Sequence, residues 1–198
     1  SPAELRRFAE AAEEAARRGG ALVLEASRSD APLRIDEKSS RDFVTEVDRA
    51  SEAAILAYLG ETFPDHGVLA EESAREREAP EGYQWVVDPL DGTTNFIHGF
   101  PVYGISVGLR LGGSVIAGAV FDPNREEMFR AHRGGGATLN GKTITVSSVD
   151  SLERSLVVTG FPFREHGRTS AYVETLEGLM RSTSGLRRPG AACLDLAS

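Results

Sequence analysis

The sequence is poor in cysteine, tryptophan, histidine and positive charge, and each shortage excludes something. Cys193 is the only cysteine in 198 residues. No internal disulfide can form, and a reducing cytoplasm is the expected compartment. No apolar run approaches the roughly 20 residues that span a bilayer, and the N-terminus lacks a signal-peptide layout. Lys and Arg number 22 against 30 Asp and Glu, a formal net charge of −8. That balance argues against nucleic acid or an anionic membrane as partner. An acidic protein can still bind phosphate where metal ions or backbone amides supply the positive field. His66, His98, His132 and His166 stand singly, which leaves a histidine-based zinc site without support. The run Gly134-Gly135-Gly136 lacks the Lys-Ser/Thr that follows in a P-loop, so it reads as a hairpin turn.

What remains is an ordinary globular composition, 40% hydrophobic and 26% charged, enough for one good core. Ser1-Pro2-Ala3-Glu4 offers a cap, a first-turn proline and an acidic residue three positions after the cap. Leu5, Phe8, Ala9, Ala12 and Ala16 follow at helical spacing, and Gly19-Gly20 should weaken this helix, although Leu22 to Leu24 can continue it. Residues 29 to 42 read as a polar loop or hairpin. A second helix is expected from about Thr45 to Phe63-Pro64, with Ala50, Ala53, Ala54, Ala57 and Tyr58 as its buried stripe. From Tyr83 the period changes to that of strands: 84–87, then 102–111 and 114–121 joined across Gly112-Gly113, then 127–132, 142–146 and 156–159. Helices are expected again over 170–181 and from Gly190 to Ala197. Strand runs flanked by helices predict an α/β or α+β sandwich with much antiparallel pairing.

The segment Asp88-Pro89-Leu90-Asp91-Gly92-Thr93-Thr94-Asn95-Phe96 follows an apolar strand. Two carboxylates across a Pro-containing turn can face one cleft. With the Leu90 carbonyl they offer the hard oxygen donors that Mg²⁺ takes at about 2.0–2.1 Å. Gly92 permits a sharp turn, after which the amides of Gly92, Thr93 and Thr94 can face an anion. An isolated Asp-Gly-Thr would be read as a capped turn and nothing more. Thr45-Glu46-Val47-Asp48 likewise fits a capping box. Glu71 and Glu72 could belong to a solvated acidic loop running through Glu76, Glu78 and Glu81. Lys38 reads equally well as a plain surface lysine, and Cys193 as a thiol of the core.

The Asp88–Thr94 string resembles the motif of inositol monophosphatases and related lithium-sensitive, magnesium-dependent phosphatases. Lys38-Ser39-Ser40 with Asp42 to Asp48 is similar to the upstream lysine loop and aspartate motif. Glu71-Glu72-Ser73 resembles the paired-glutamate motif, with Ala70 where glycine is more usual. Arg188-Pro189-Gly190-Ala191-Ala192 resembles the segment that approaches the substrate ring. The resemblance covers essentially the whole chain. It implies a first metal held by Glu71, Asp88 and the Leu90 carbonyl, and a second held in part by Asp88 and Asp91. Thr93 and Asp48, assisted by Glu71, would orient and deprotonate the attacking water. Gly92, Thr93, Thr94, Lys38, Gly190, Ala191 and Ala192 would contact the substrate or its phosphate. The implied cofactor is Mg²⁺, with Mn²⁺ as substitute, and the implied partners are a small phosphorylated substrate and a second copy in a homodimer. Two such ions activate a water and stabilise the leaving oxygen of an in-line displacement.

The family continues beyond the Gly-Ala-Ala segment, with a Trp-Asp motif whose aspartate completes the second metal site. Here the only tryptophan is Trp85. The expectation is a layered αβαβα sugar-phosphatase sandwich with mainly antiparallel sheets, its C-terminal part cut short. It would form a single domain over 1–198, its N-terminal αβ part about 1–150 and an incomplete C-terminal part about 151–198. The expected activity is magnesium-dependent hydrolysis of a small phosphate monoester, inositol monophosphate first. Histidinol phosphate, fructose 1,6-bisphosphate and adenosine bisphosphate are the rival substrates. A non-catalytic metal-binding or dimerising fragment is the rival of another class.

Overall fold

The computed structural model describes all residues except 40–41, 74–75, 78–81 and 163–165, together with the side chains of 38, 39, 42, 76, 77 and 166. Two compact units result: Ser1–Ile144 with Ala191–Ser198, and Thr145–Gly190. Helix α1 (Pro2–Ser27) starts on the Ser1 capping box that the sequence announces. The hairpin of β1 (Ile35–Ser39) and β2 (Asp42–Thr45) leads into α2 (Glu46–Thr62), and Thr45 caps that helix. Then come β3 (Gly67–Ala70), β4 (Glu76–Arg77), β5 (Tyr83–Asp91) and the short α3 (Thr93–Ile97). A meander follows: β6 (Gly104–Leu111), β7 (Ser114–Asp122), β8 (Glu127–His132), β9 (Gly136–Leu139) and β10 (Lys142–Ile144).

Among the described residues, β3 to β10 form one sheet of order β10-β9-β8-β7-β6-β5-β3-β4. Its pairs are antiparallel except β3 with β5. Both α1 and α2 pack on the sheet and on each other. The core between them gathers Phe8, Val23, Ile55, Leu59, Trp85, Ile105, Val107, Leu109 and Phe121. The second unit holds β11 (Leu156–Val158), α4 (Thr169–Ser182) and β12 (Gly185–Arg187), with β11 and β12 parallel across the helix. Helix α5 (Ala192–Ala197) returns to the first unit. No described helix is long and apolar enough to cross a membrane.

Helix α1 continues through Gly19-Gly20 into Leu22 to Leu24, and the glycines lie where it packs tightly on its neighbours. A Cβ on Gly19 would stand 2.5 Å from the Ser51 hydroxyl, and one on Gly20 would stand 2.5 Å from the Phe121 ring. Close packing recovers more than the missing side chains forfeit. One expectation is corrected. In α2 the expected stripe is buried only in part: Ala50, Ala53 and Ala57 are exposed and Ala54 and Tyr58 half-buried, whereas Val47, Asp48, Ser51, Glu52, Ile55 and Leu59 are buried. Polar residues occupy half of that buried face because each finds a partner there. Strands β3, β4, β9 and β12 went unseen as well, each being too short to establish a period.

Candidate active site

The site is built from the loops at one end of β3 and β5. These strands run parallel with Ala70 opposite Val87, and the Glu71 amide donates to the Val87 carbonyl at 3.3 Å. The register therefore delivers Glu71 beside Asp88, at the carboxyl ends of both strands, where open sheets commonly bind ligands.

Asp88 and Asp91 are three residues apart, so a regular strand would send them to opposite faces. Here Asp88 pairs with Ser106 and Asp91 with Gly104, so β5 spends one residue more than β6 between these pairs. Pro89 has no N–H to lose from the ladder, and the extra residue restores parity so that both carboxylates emerge on one face. The Asp88 carboxylate also accepts from the Leu90 amide at 3.2 Å. Burial, the nearby Glu71 and Asp91 charges and a hydrogen bond shared with Glu71 push the Asp88 pKa up to about 8.

Gly92 takes φ 94° and ψ 31°, a left-handed conformation that glycine reaches without a steric penalty. Space also demands it, since a Cβ would meet the Val102 carbonyl at 3.0 Å and the Ala191 Cβ at 3.3 Å. The turn then opens α3 with Thr93. Its hydroxyl lies 2.9 Å from Asp48 Oδ1 and 3.0 Å from the Leu90 carbonyl. Asp48 is wholly buried. Its other oxygen, Oδ2, accepts from the Thr45 amide at 2.8 Å and the Thr45 hydroxyl at 2.6 Å. The capping box and the contact with Thr93 thus coexist on one carboxylate.

Three such side chains leave α2 at positions i, i+3 and i+4, which share one helix face. Asp48 reaches Thr93, the Ser51 hydroxyl donates to the Pro89 carbonyl at 2.9 Å, and Glu52 accepts from Glu72 and Ser73 amides at 2.7 and 2.9 Å. Ser51 and Glu52 were missed in the sequence. Their spacing from Asp48, on the capped end of the same helix, was the available signal.

The sequence profile of the inositol monophosphatase family matches residues 4–198, over which these motifs fall in order.

The chain belongs to the inositol monophosphatase family.

Its relatives include the Nus factor SuhB of Pseudomonas aeruginosa, 44% identical over 187 residues, which cover 92% of this chain and 69% of the relative. Among solved structures, the extragenic suppressor protein suhB from Bartonella henselae superposes with a TM-score of 0.89 at 35% identity, covering 95% of this chain and 72% of that one. The inositol monophosphatase from Anabaena gives 0.82 at 38%, covering 98% and 71%.

In this member of the inositol monophosphatase family, the donor types suit a hard divalent cation: Glu71, Asp88 and Asp91 carboxylates and the Leu90 carbonyl. Their convergence is another matter. Among the described residues no three His, Cys, Asp or Glu side chains gather closely enough to hold a metal ion as they stand. Yet Glu71 and Asp91 are near enough to raise the Asp88 pKa. The raised pKa has a plain cause, because neighbouring carboxylates do not all ionise together and one keeps its proton. Asp91 is also engaged elsewhere. Its Oδ2 accepts from the Cys193 amide at 2.6 Å and so caps α5, which has no side-chain cap of its own. The Cys193 thiol is pushed up by burial and by the Asp91 and Asp88 charges, which leaves it inert.

The Gly-Ala-Ala segment divides. Ala191 is buried and packs on Gly92, Ala192 is exposed, and Gly190 belongs to the second unit. Lys38 lies in β1, but its side chain, like those of Ser39, Asp42 and Glu76, is outside the described residues, as are Ser40, Glu78 and Glu81. Thr94 is exposed on α3.

Proposed function

We propose that this protein hydrolyses a small phosphate monoester, inositol monophosphate first, with Mg²⁺ held by its carboxylates. The observation that carries the reading is the 2.9 Å Thr93–Asp48 hydrogen bond set beside the Glu71–Asp88 carboxylate pair. Glu71, Asp88 and the Leu90 carbonyl would hold a first ion, and Asp88 with Asp91 a second. Bound there, Mg²⁺ or its substitute Mn²⁺ supplies Lewis-acid stabilisation of phosphoryl charge and a more acidic water.

The chain's own residues supply the rest. Thr93 has one hydroxyl proton, and giving it to Asp48 Oδ1 leaves the oxygen lone pairs to accept from a water. That water is then oriented with its own lone pair free for in-line attack. As attack proceeds, its proton passes to Thr93 Oγ1 and the Thr93 proton to Asp48, with Glu71 assisting, while the ester P–O bond on the opposite side breaks and the departing alkoxide takes a proton from solvent. Asp48 needs no reorientation for this, because its second oxygen is fixed by Thr45. The amides of Gly92, Thr93 and Thr94 would receive phosphate oxygens. Lys38, Gly190, Ala191 and Ala192 would border the substrate. The same reading takes the protein to be a cytoplasmic homodimer, the reducing compartment fitting its single cysteine.

Phosphate release from inositol monophosphate, histidinol phosphate, fructose 1,6-bisphosphate and adenosine bisphosphate tests the proposal and ranks the substrates. Chelation should abolish turnover, Mg²⁺ should restore it and lithium should inhibit; full turnover in chelator would sink the metal reading. A second reading comes from the relatives named Nus factors, one of them 44% identical. The Asp88→Asn variant separates the two, since it should lose hydrolysis and keep any association with transcription components.

A further inference from the structure

The Glu71 carboxylate is useful to a cation only if its backbone is held still, and the structure fixes that backbone from both sides. On one side the Glu71 amide donates to Val87 of β5 at 3.3 Å. On the other, the next two amides, those of Glu72 and Ser73, donate to Glu52 Oε2 and Oε1 at 2.7 and 2.9 Å. Glu52 itself is only 4% exposed. A carboxylate so deeply buried is costly unless paired or fully hydrogen-bonded, and charge-assisted bonds to amides are among the stronger ones a protein makes. An apolar residue would fill the same space on α2 without that penalty. A buried carboxylate aimed at the loop that carries Glu71 is therefore matched to that loop rather than to the core.

We infer that Glu52 is a positioning residue: its two oxygens clamp the amides after Glu71 and so hold the Glu71 carboxylate beside Asp88 for metal binding. The inference rests on the proposed metal-dependent reading and extends it to a residue that touches neither metal nor substrate. The two-pronged contact explains why glutamate is needed. Glutamine offers one acceptor oxygen and turns an N–H toward the other amide. Aspartate keeps the charge but is one methylene shorter and cannot serve both amides at full length.

The test is calorimetric titration of Mn²⁺ and Mg²⁺ into the wild type, Glu52→Gln, Glu52→Asp and a control, Ile55→Val. Ile55 is buried on the next turn of the same helix. Each variant's metal-free melting temperature and its kcat against Mg²⁺ concentration are also measured. Glu52→Gln should weaken cation binding by about 10- to 100-fold, the range for residues that orient ligands. Glu52→Asp should fall between it and the wild type. Raising Mg²⁺ should recover most of the kcat of Glu52→Gln, because the chemistry itself is intact. Ile55→Val should lower the melting temperature and leave affinity unchanged. Wild-type affinity in Glu52→Gln, or equal loss of affinity in Ile55→Val, overturns the positioning role while leaving the metal reading standing. A wild type that binds neither cation overturns both. If Glu52→Gln does not fold, Glu52→Asp decides on the same criterion.

Discussion

Helices α1 and α2 pack on the same sheet and against each other, yet they bury opposite kinds of surface. The buried positions of α1 are Phe8, Ala9, Ala11, Ala12, Ala15, Ala16, Gly19, Gly20 and Val23, without a single polar side chain. Those of α2 include Asp48, Ser51 and Glu52 beside Val47, Ile55 and Leu59. Small apolar groups make α1 a close-fitting wedge whose only requirement is volume. In α2 each buried polar group has a partner on another segment: Thr93 and Pro89 at the β5–α3 turn, and the Glu72–Ser73 pair in the loop after β3. One helix serves the core, and the other serves the core and aligns the candidate site. A buried polar group that meets its partner across a loop specifies geometry that apolar packing leaves loose.

The comparison breaks most visibly at Asp48. Replacing it with Asn keeps the shape and the capping role but removes the charge that would receive the Thr93 proton in the proposed reaction. Asp48→Asn should lower kcat by about 10²- to 10⁴-fold, the usual range for a positioned base. Steady-state kinetics with a melting curve checks this; unchanged kcat would leave Asp48 a cap only. Thr93→Ala should act the same way on kcat with little change in KM, and Thr93→Ser should be milder because it keeps the hydroxyl.

A pH dependence comes next in size. The Asp88 pKa lies near 8 in the fold, against 3.8 for a free carboxyl. This group's contribution to metal-free stability is therefore complete below pH 3.8 and is lost as pH rises through about 8. In the proposed function a cation held by Asp88 would have to displace that proton, so apparent affinity should climb about tenfold per pH unit up to the folded pKa and then level off. Calorimetry in buffers of different ionisation enthalpy should show about one proton released per ion at pH 7. Affinity independent of pH would mean that Asp88 is not a ligand.

Smaller effects sharpen the contrast between the helices. Gly20→Ala forces a Cβ to within 2.5 Å of the Phe121 ring and should cost about 1–3 kcal/mol by overpacking, with kcat of the folded protein unchanged. Gly19→Ala should cost a similar amount and also lower kcat. Its Cβ would stand 2.5 Å from the Ser51 hydroxyl, which donates to the Pro89 carbonyl in the proposed metal-binding turn. Equal kcat in the two variants, read beside urea unfolding, would show that Ser51 does not align the site. Smallest of all, Ala53→Lys on the exposed side of α2 should change stability by less than about 0.5 kcal/mol. A larger loss would restore the alanine stripe as a buried face.

Much of this was legible from residue order alone. The capping boxes at Ser1 and Thr45, the hairpin across Gly112-Gly113 and the candidate ligand string from Asp88 to Thr94 are all local signals, each set by neighbours a few positions away. Gly112 and Gly113 do adopt positive φ of 55° and 81°, as a tight hairpin needs. The inward face of α2 was misread for a physical reason. Periodicity assigns burial by hydrophobicity, and Asp48, Ser51 and Glu52 are buried for the sake of hydrogen bonds to distant loops.

The sequence by itself determined which chemical groups this protein has available and where its helices and longer strands begin, because caps, turns and periods act over a few residues. Tertiary structure alone decided which of those groups meet. The parallel register of β3 with β5 sets Glu71 beside Asp88. The extra residue around Pro89 turns Asp88 and Asp91 to one face. The buried polar side of α2 ties the β5–α3 turn and the loop after β3 to one helix. These contacts join residues far apart in the chain, and their strength comes from burial that exists only once the sheet and its helices have closed.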